Sequence, residues 1–340
     1  MKTDLRGLTH DEIQEYLEPM GLKPFRTKQI LDWIYCKKVK SIDEMTNLSK
    51  DLREALKKKF YIPSLILLQK QVSQDGTEKF LFEMGDKKQV ETVLIPDGKR
   101  VTLCISTQVG CKFSCSFCYT GKMGFKRNLT TSEIINQIIY ATQNNENATN
   151  IVLMGMGEPL DNYDNVIKAI KIIHFPWGLG ISARKISLST CGLIRGINKL
   201  EKENLNINLM ISLNASDNKK RNLLMPVNKK YPLEKLMSAC REYTVNPKNQ
   251  ITFEYVLIKN INDSEKDAKA LVSLIKGIRC KINLIPFNKR SDENWPYDPP
   301  EKEKVNKFQE YLISQKYLVF LRKQRGLDIC ASCGQLTGQY

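Results

Sequence analysis

Cys111, Cys115 and Cys118 stand in the run Gly110-Cys111-Lys112-Phe113-Ser114-Cys115-Ser116-Phe117-Cys118-Tyr119, spaced C-x3-C-x2-C. Three thiolates on one short loop can hold three irons of a [4Fe–4S] cube, because such clusters are normally ligated by cysteine. No fourth cysteine lies nearby, so one iron would stay open for a substrate. Two other readings stand beside this one. Structural zinc favours four closed ligands, often as two C-x2-C pairs. Cysteines also pack as small apolar side chains. Ten cysteines in a chain read as cytosolic point to metal or thiol chemistry rather than a disulfide scaffold. With His10 and His174 the only histidines, His-based metal sites and Ser/His/Asp triads are poor candidates.

The elements around this loop alternate. Strands are expected at Val101–Ser106, Asn150–Met154, Lys185–Ser189, Ile207–Leu213, Ile251–Ile258 and Lys281–Ile285, with helices between them. One helix begins at the capping-box sequence Thr130-Thr131-Ser132-Glu133, another follows Asp164, and a third follows Asn262-Asp263. Such alternation implies a parallel sheet with helical crossovers, here a partial (β/α)6 barrel of the α/β class over residues 101–325. The cysteine loop follows the first of these strands, and the active end of a parallel barrel is the C-terminal end of its strands.

Residues 1–63 read as a small helical accessory domain. Thr9-His10-Asp11-Glu12 has capping-box spacing. Pro24 is expected to end the first helical stretch, and Ile30/Ile34 and Leu52/Leu56 lie four apart, as on helix faces. Residues 64–100 read as a connector of short strands, with turns at Asp75-Gly76, Gly85-Asp86 and Asp97-Gly98. Residues 326–340 form a tail.

The 53 basic and 37 acidic residues leave a net charge of +16, which suits a polyanionic partner such as nucleic acid or, equally, a solvated lysine-rich face. The N-terminal residues lack the apolar stretch of a secretory leader and no apolar run could span a bilayer, so a cytoplasmic protein without membrane contact is expected.

The cysteine loop resembles the radical S-adenosylmethionine (SAM) signature, including the aromatic Phe117 before the third cysteine. Further segments resemble one family within that superfamily: Gln108-Val109-Gly110-Cys111, Met154-Gly155-Met156-Gly157-Glu158-Pro159-Leu160, Leu188-Ser189-Thr190, Lys281–Asn288 and Cys333-Gly334-Gln335-Leu336. The family is the dual-specificity radical-SAM RNA methyltransferases, which methylate C2 of an adenine in 23S rRNA and of an adenine beside the anticodon of tRNAs.

That resemblance implies a radical-SAM barrel, a [4Fe–4S] cluster on Cys111, Cys115 and Cys118, and two SAM molecules per turnover. One SAM methylates a cysteine thiolate. The other yields a deoxyadenosyl radical that takes hydrogen from the S-methyl group, and the methylene radical adds to adenine. C2 lies between two ring nitrogens and is too electron-poor to attack SAM directly, so radical addition is the accessible route. Cys333 matches the methyl carrier, Cys104 the cysteine that helps remove the ring proton and then releases the product through a transient disulfide, and Glu91 the family's proton acceptor. Strand alternation alone leaves Glu91 open to an outward-facing reading. SAM contacts carry over to Gly157, Glu158, Ser189, Ser212, Leu213, Asn214 and Asn288. A flavodoxin–reductase pair or ferredoxin would supply electrons, and a monomer is expected.

The chain departs from the family in places. Asn214 stands where histidine is usual, and Cys330 replaces an acid three residues before the carrier. Cys191 lies close to the expected SAM site, while Cys36, Cys240 and Cys280 read as structural. The tail after Leu336 is short, without a basic extension. Phosphate contacts are expected from lysines and arginines of the N-terminal domain and of Lys122–Arg127. Two rivals remain. One is the sister group that methylates C8 of the same rRNA adenine, against which Val109 and Pro159 speak. The other is a non-catalytic iron–sulfur RNA-binding protein or redox sensor, which would need neither Cys104 nor Cys333.

Overall fold

The computed structural model describes residues 2–143, 148–290 and 295–338. The N-terminal unit holds helices α1 (His10–Leu17), α2 (Phe25–Leu31) and α3 (Lys50–Lys59), closed by the parallel pairing of two short strands, β1 (Thr3–Asp4) and β2 (Phe60–Tyr61). Thr9 and Glu12 form the capping box of α1 as the sequence spells it. Pro24 does not end the first helical stretch. That stretch stops at Gly21, which takes a left-handed φ of 69°, and Pro24 caps the start of α2. A proline lacks the N–H that a first helical turn leaves unused, so it starts a helix more readily than it stops one here.

Residues 64–100 contain β3 (Ile66–Val72), β4 (Glu78–Glu83) and β5 (Gln89–Asp97), an antiparallel meander. It pairs onto β6 (Arg100–Cys104) through the Gly98-Lys99 turn and so continues the main sheet. From β6 the sheet runs parallel through β9 (Asn150–Leu153), β10 (Ile186–Thr190), β11 (Asn208–Ser212), β12 (Ile251–Leu257) and β13 (Cys280–Pro286). These are the six expected barrel strands. A further parallel strand, β14 (Leu318–Leu321), extends the far edge and was not expected.

The outer layer contains α5 (Thr131–Ala141), α6 (Tyr163–His174), α7 (Ile194–Lys202), α9 (Leu233–Val245), α10 (Glu265–Ile275) and α11 (Lys302–Ser314). Thr130 and Glu133 make the expected capping box of α5. Leu103, Ile151, Leu188, Ile211, Phe253 and Leu284 are fully buried. Parallel strands buried on both faces normally read as unbroken apolar runs. Here every second residue is polar: Ser187 and Ser189 on β10, Thr252 and Glu254 on β12, Lys281 and Asn283 on β13. A barrel interior is usually filled by branched aliphatic side chains. This alternation gives one face of the sheet polar groups instead.

Arg6 fastens the N-terminal unit to the barrel. It is fully buried, with Nη1 donating to Asn136 Oδ1 on α5 at 2.5 Å and to the Pro63 carbonyl at 3.1 Å, and Nη2 to the Val39 carbonyl at 2.6 Å. Lys168 on α6 pairs with Glu12 at 2.7 Å.

Candidate active site

After β6 the chain forms β7 (Gln108–Gly110), the cysteine loop, the short helix α4 (Tyr119–Lys122) and β8 (Phe125–Asn128), which pairs back on β7. Gly110 has φ of 73°, and a Cβ there would lie 1.8 Å from the Gly124 carbonyl oxygen, so no other residue fits. That carbonyl accepts from the Cys111 N–H at 3.1 Å, which fixes the loop's first thiol. Cys118 caps α4.

Burial raises all three thiols, Cys111 to about 12, and each of them is raised further by a neighbouring thiol's charge. Three buried thiols that repel one another as thiolates are a donor set that a cationic cluster would relieve, because a coordinating thiol is deprotonated outright. Among the described residues, no three Cys, His, Asp or Glu side chains converge as a single ion would require.

The loop after β9 carries Gly157 and Glu158. Gly157 has φ of 100°, and a Cβ there would meet Gln108 Cβ at 2.5 Å. Gln108 binds this loop to the cysteine hairpin: its Oε1 accepts from the Glu158 N–H at 2.8 Å, and its Nε2 donates to Asn128 and Asp161, each at 2.8 Å. Glu158 is buried, which raises its carboxyl, while N–H groups of Cys191 at 2.7 Å and Leu160 at 3.1 Å favour its ionised form. Cys191 thus meets Glu158 through its backbone.

Ser189, Ser212 and Glu254 meet across β10, β11 and β12. Ser189 Oγ donates to Glu254 Oε2 at 2.9 Å and lies 3.5 Å from Ser212 Oγ. Burial raises the Glu254 carboxyl, and no donor among the described residues is aligned with its Oε1. Leu213 is fully buried, and its carbonyl accepts from Arg221 Nε at 3.1 Å. Asn214 is buried with φ of 59°, a region asparagine tolerates better than most residues. Its Oδ1 accepts from the Val256 N–H at 2.8 Å and its Nδ2 points at Met225 Sδ at 3.2 Å. The side chain is therefore committed to packing the end of β12, a job its amide does without charge.

The tail crosses from β14 to the opposite edge of the sheet and back. Arg325 pairs with Asp97 at 3.0 Å, Gly326 N–H donates to Asp75 at 3.0 Å, and Ser73 Oγ donates to Asp328 at 2.6 Å. Cys333 then sits exposed on a turn whose flanks are pinned. The Cys333 carbonyl accepts from Asn288 Nδ2 at 3.1 Å, the Gly334 carbonyl from the Tyr119 N–H at 2.8 Å, and the Leu336 carbonyl from Thr120 Oγ1 at 2.7 Å. Asn288 thus holds the tail directly, and its Oδ1 accepts from Gln324 at 3.0 Å. Cys330 lies in the same strap with φ of 50°.

Cys104, at the end of β6, is raised to about 12 by burial and by the charge of Cys333. Arg322, just beyond β14, is buried, and the nearby Cys333, Glu254 and Cys104 hold its guanidinium charged against that burial. All ten cysteines are free thiols in this state. Glu91 on β5 is buried. Its Oε1 lies 3.0 Å from Lys79 Nζ, an ion pair without hydrogen-bond alignment, and its Oε2 accepts from the N–H groups of Thr337 at 2.7 Å and Gly338 at 3.0 Å. It faces inward, which alternation left open. Lys79, Arg322 and Glu254 were not singled out from sequence, and Gln108 stood there only as part of a motif, without a role. For Glu254 the signal was the polar alternation of Thr252 and Glu254 in a parallel strand.

The basic run behind the loop is less free than its composition suggests. Arg127 is tied to Asp86 at 2.7 Å and Glu133 at 2.8 Å. Lys122 lies 3.3 Å from the Trp295 ring centroid.

The fold and this cysteine loop define a radical-SAM enzyme: residues 105–272 match the radical SAM superfamily. Residues 3–62 match the ribosomal RNA large subunit methyltransferase N-terminal domain. The chain belongs to the RlmN family of dual-specificity RNA methyltransferases. It is 46% identical over 339 residues to the dual-specificity RNA methyltransferase RlmN of Syntrophotalea carbinolica, covering 99% of this chain and 90% of the relative. The Pelobacter propionicus protein of that name is 46% identical over 99% of this chain and 96% of its own. The crystal structure of a radical SAM methyltransferase from Sphaerobacter thermophilus superposes with a TM-score of 0.93 at 38% identity, covering 99% of this chain and all of that one. Among the described residues no helix is long and apolar enough to cross a membrane.

Proposed function

We propose that this chain methylates C2 of adenine in 23S rRNA and in tRNA, carrying the methyl group on Cys333. The observation that carries this reading is the tail: a thiol tied through Gly334 to the N-terminus of the helix that follows Cys118, with Cys104 within its electrostatic reach. A cysteine on a packed surface loop without a role would need no such anchors.

The family's [4Fe–4S] cluster, held by Cys111, Cys115 and Cys118, supplies reductive cleavage of SAM when bound. Two SAM molecules are consumed per turnover, one for the methyl group and one for the hydrogen-abstracting radical. Gly157 lets backbone approach the cofactor and Glu158 meets its ammonium. Ser189, Ser212, Leu213 and Asn214 line the strand ends that take its remainder, and Asn288 orients the carrier. Arg322 sets a positive charge near the sulfur of Cys333, which accepts the methyl group. Glu91 takes the ring proton, and Cys104 releases the product as a disulfide with Cys333. The adenine has to leave its stack to reach this site. A flavodoxin or ferredoxin reduces the cluster, and the protein works as a cytoplasmic monomer.

The test is a pair of variants incubated anaerobically with reductant, methyl-labelled SAM and an rRNA fragment. Cys104→Ala is expected to accumulate a labelled protein–RNA adduct, and Cys333→Ala to give neither adduct nor methylated RNA. Methylated RNA from Cys333→Ala would overturn the carrier assignment.

A further inference from the structure

Lys79 is an unusual residue to find where it is. It lies on β4 between Glu78 and Phe80, and its side chain is 3% exposed. A lysine buried to this degree needs a partner, because the bare ammonium is expensive to strip of water. The partner is Glu91, 1% exposed and 3.0 Å away on β5. Lys79 pairs in register with Val93, so Glu91 is its diagonal neighbour on the same face of the hairpin. A pair of this kind adds little stability over apolar residues of similar volume, so its presence points to a use of the charge.

The N–H of Glu91 points at Met156 Sδ at 3.4 Å, and its carbonyl accepts from Ser106 Oγ at 2.6 Å. From the tail come the amides of Thr337 and Gly338, both on Oε2. Lys79, on β4, lies against Oε1. The two oxygens are differentiated: one sits against a buried lysine, the other against backbone amides of the tail.

We propose that Lys79 is a positioning residue for the proton transfer. Its side-chain nitrogen, 3.0 Å from Oε1, holds that oxygen, so that Oε2 is the oxygen presented to the ring. This rests on reading Glu91 as the proton acceptor. In the step itself the C2–H bond of the adduct breaks, its electron pair stays on the ring carbon, and an O–H bond forms at Oε2. The amides of Thr337 and Gly338 leave Oε2 as the adenine arrives.

The test compares Lys79→Met, Lys79→Arg and Glu91→Gln in single-turnover RNA methylation, with deoxyadenosine formation and Cys333 methylation as checks that the fold and cofactor site are intact. Lys79→Gln replaces Lys79→Met if the latter fails those checks. The expected result is that Lys79→Met slows release of methylated RNA about tenfold or more, with the protein–RNA adduct accumulating, while Lys79→Arg, which keeps a cation against Oε1, recovers most of the rate. Release by Lys79→Met at the parent rate, or a loss that Lys79→Arg does not recover, overturns the inference and leaves the Glu91 assignment standing. Full methylation by Glu91→Gln overturns the assignment itself, and the inference with it.

Discussion

The backbone N–H of Tyr119 donates to the carbonyl of Gly334 at 2.8 Å. Tyr119 follows the last cysteine of the cluster loop and Gly334 follows Cys333, so one hydrogen bond fixes the carrier turn to the first turn of α4. Proximity of this kind is where much of an enzyme's rate comes from, and small misplacements are costly. Four predictions follow from that geometry and its surroundings.

Asn288→Ala removes the bond to the Cys333 carbonyl and the one from Gln324. RNA methylation is expected to fall on the order of tenfold to a hundredfold while SAM cleavage continues, so deoxyadenosine per methylated adenine rises. Calorimetric SAM affinity separates the roles. Unchanged affinity assigns Asn288 to the tail, and a large loss assigns it to the cofactor.

Gly110→Ala places a methyl group where the Gly124 carbonyl oxygen stands, at a left-handed φ. Strain of at least ~1–3 kcal/mol is expected locally. Iron content and the visible cluster absorbance should be lost, while circular dichroism of the barrel is largely kept. Normal iron loading would contradict the account of the loop.

Asn214→Ala leaves the half-buried Val256 N–H without its acceptor. The expected cost is about 1–3 kcal/mol of stability, read as a lower denaturant midpoint. SAM affinity should change less than a few fold if the side chain serves packing. Asn214→His restores the family residue but must fit a larger ring beside Met225, so it is expected to destabilise rather than to improve binding.

Cys104 gives a pH signature. Burial and the charge of Cys333 disfavour its thiolate and raise it to about 12. Near neutral pH it is a thiol, and alkylation should accelerate roughly tenfold per pH unit towards that value. In Cys333→Ala one raising contribution is gone, so the midpoint should move down. Peptide mapping after iodoacetamide pulses reads both, and fast labelling of Cys104 at neutral pH would contradict the assignment.

Much of the frame was legible because it is local. The capping boxes at Thr9 and Thr130 need only residues three apart, and the six barrel strands show in alternation and turn residues. β14 escaped notice because Leu318, Phe320 and Leu321 are an exposed edge without a polar–apolar contrast. Cys111, Cys115 and Cys118 stood out by spacing as a candidate ligand set, with zinc and core-cysteine readings beside it. The path of the tail was not, since it is made of bonds between distant positions, such as Asp75 to Gly326 and Glu91 to Thr337. Lys79 was missed for a related reason: a lysine in a hairpin usually faces water, and only the fold shows that Glu91 takes its place.

The central claim is that the methyl group reaches C2 of an adenine. The most direct measurement reconstitutes the cluster anaerobically, supplies isotope-labelled SAM, a reductant and an rRNA fragment, and identifies the digested nucleoside by mass spectrometry against a C2-methyladenosine standard. The account predicts labelled C2-methyladenosine, with the same product from tRNA. C8-methyladenosine, or cleaved SAM with unmodified RNA, would contradict it.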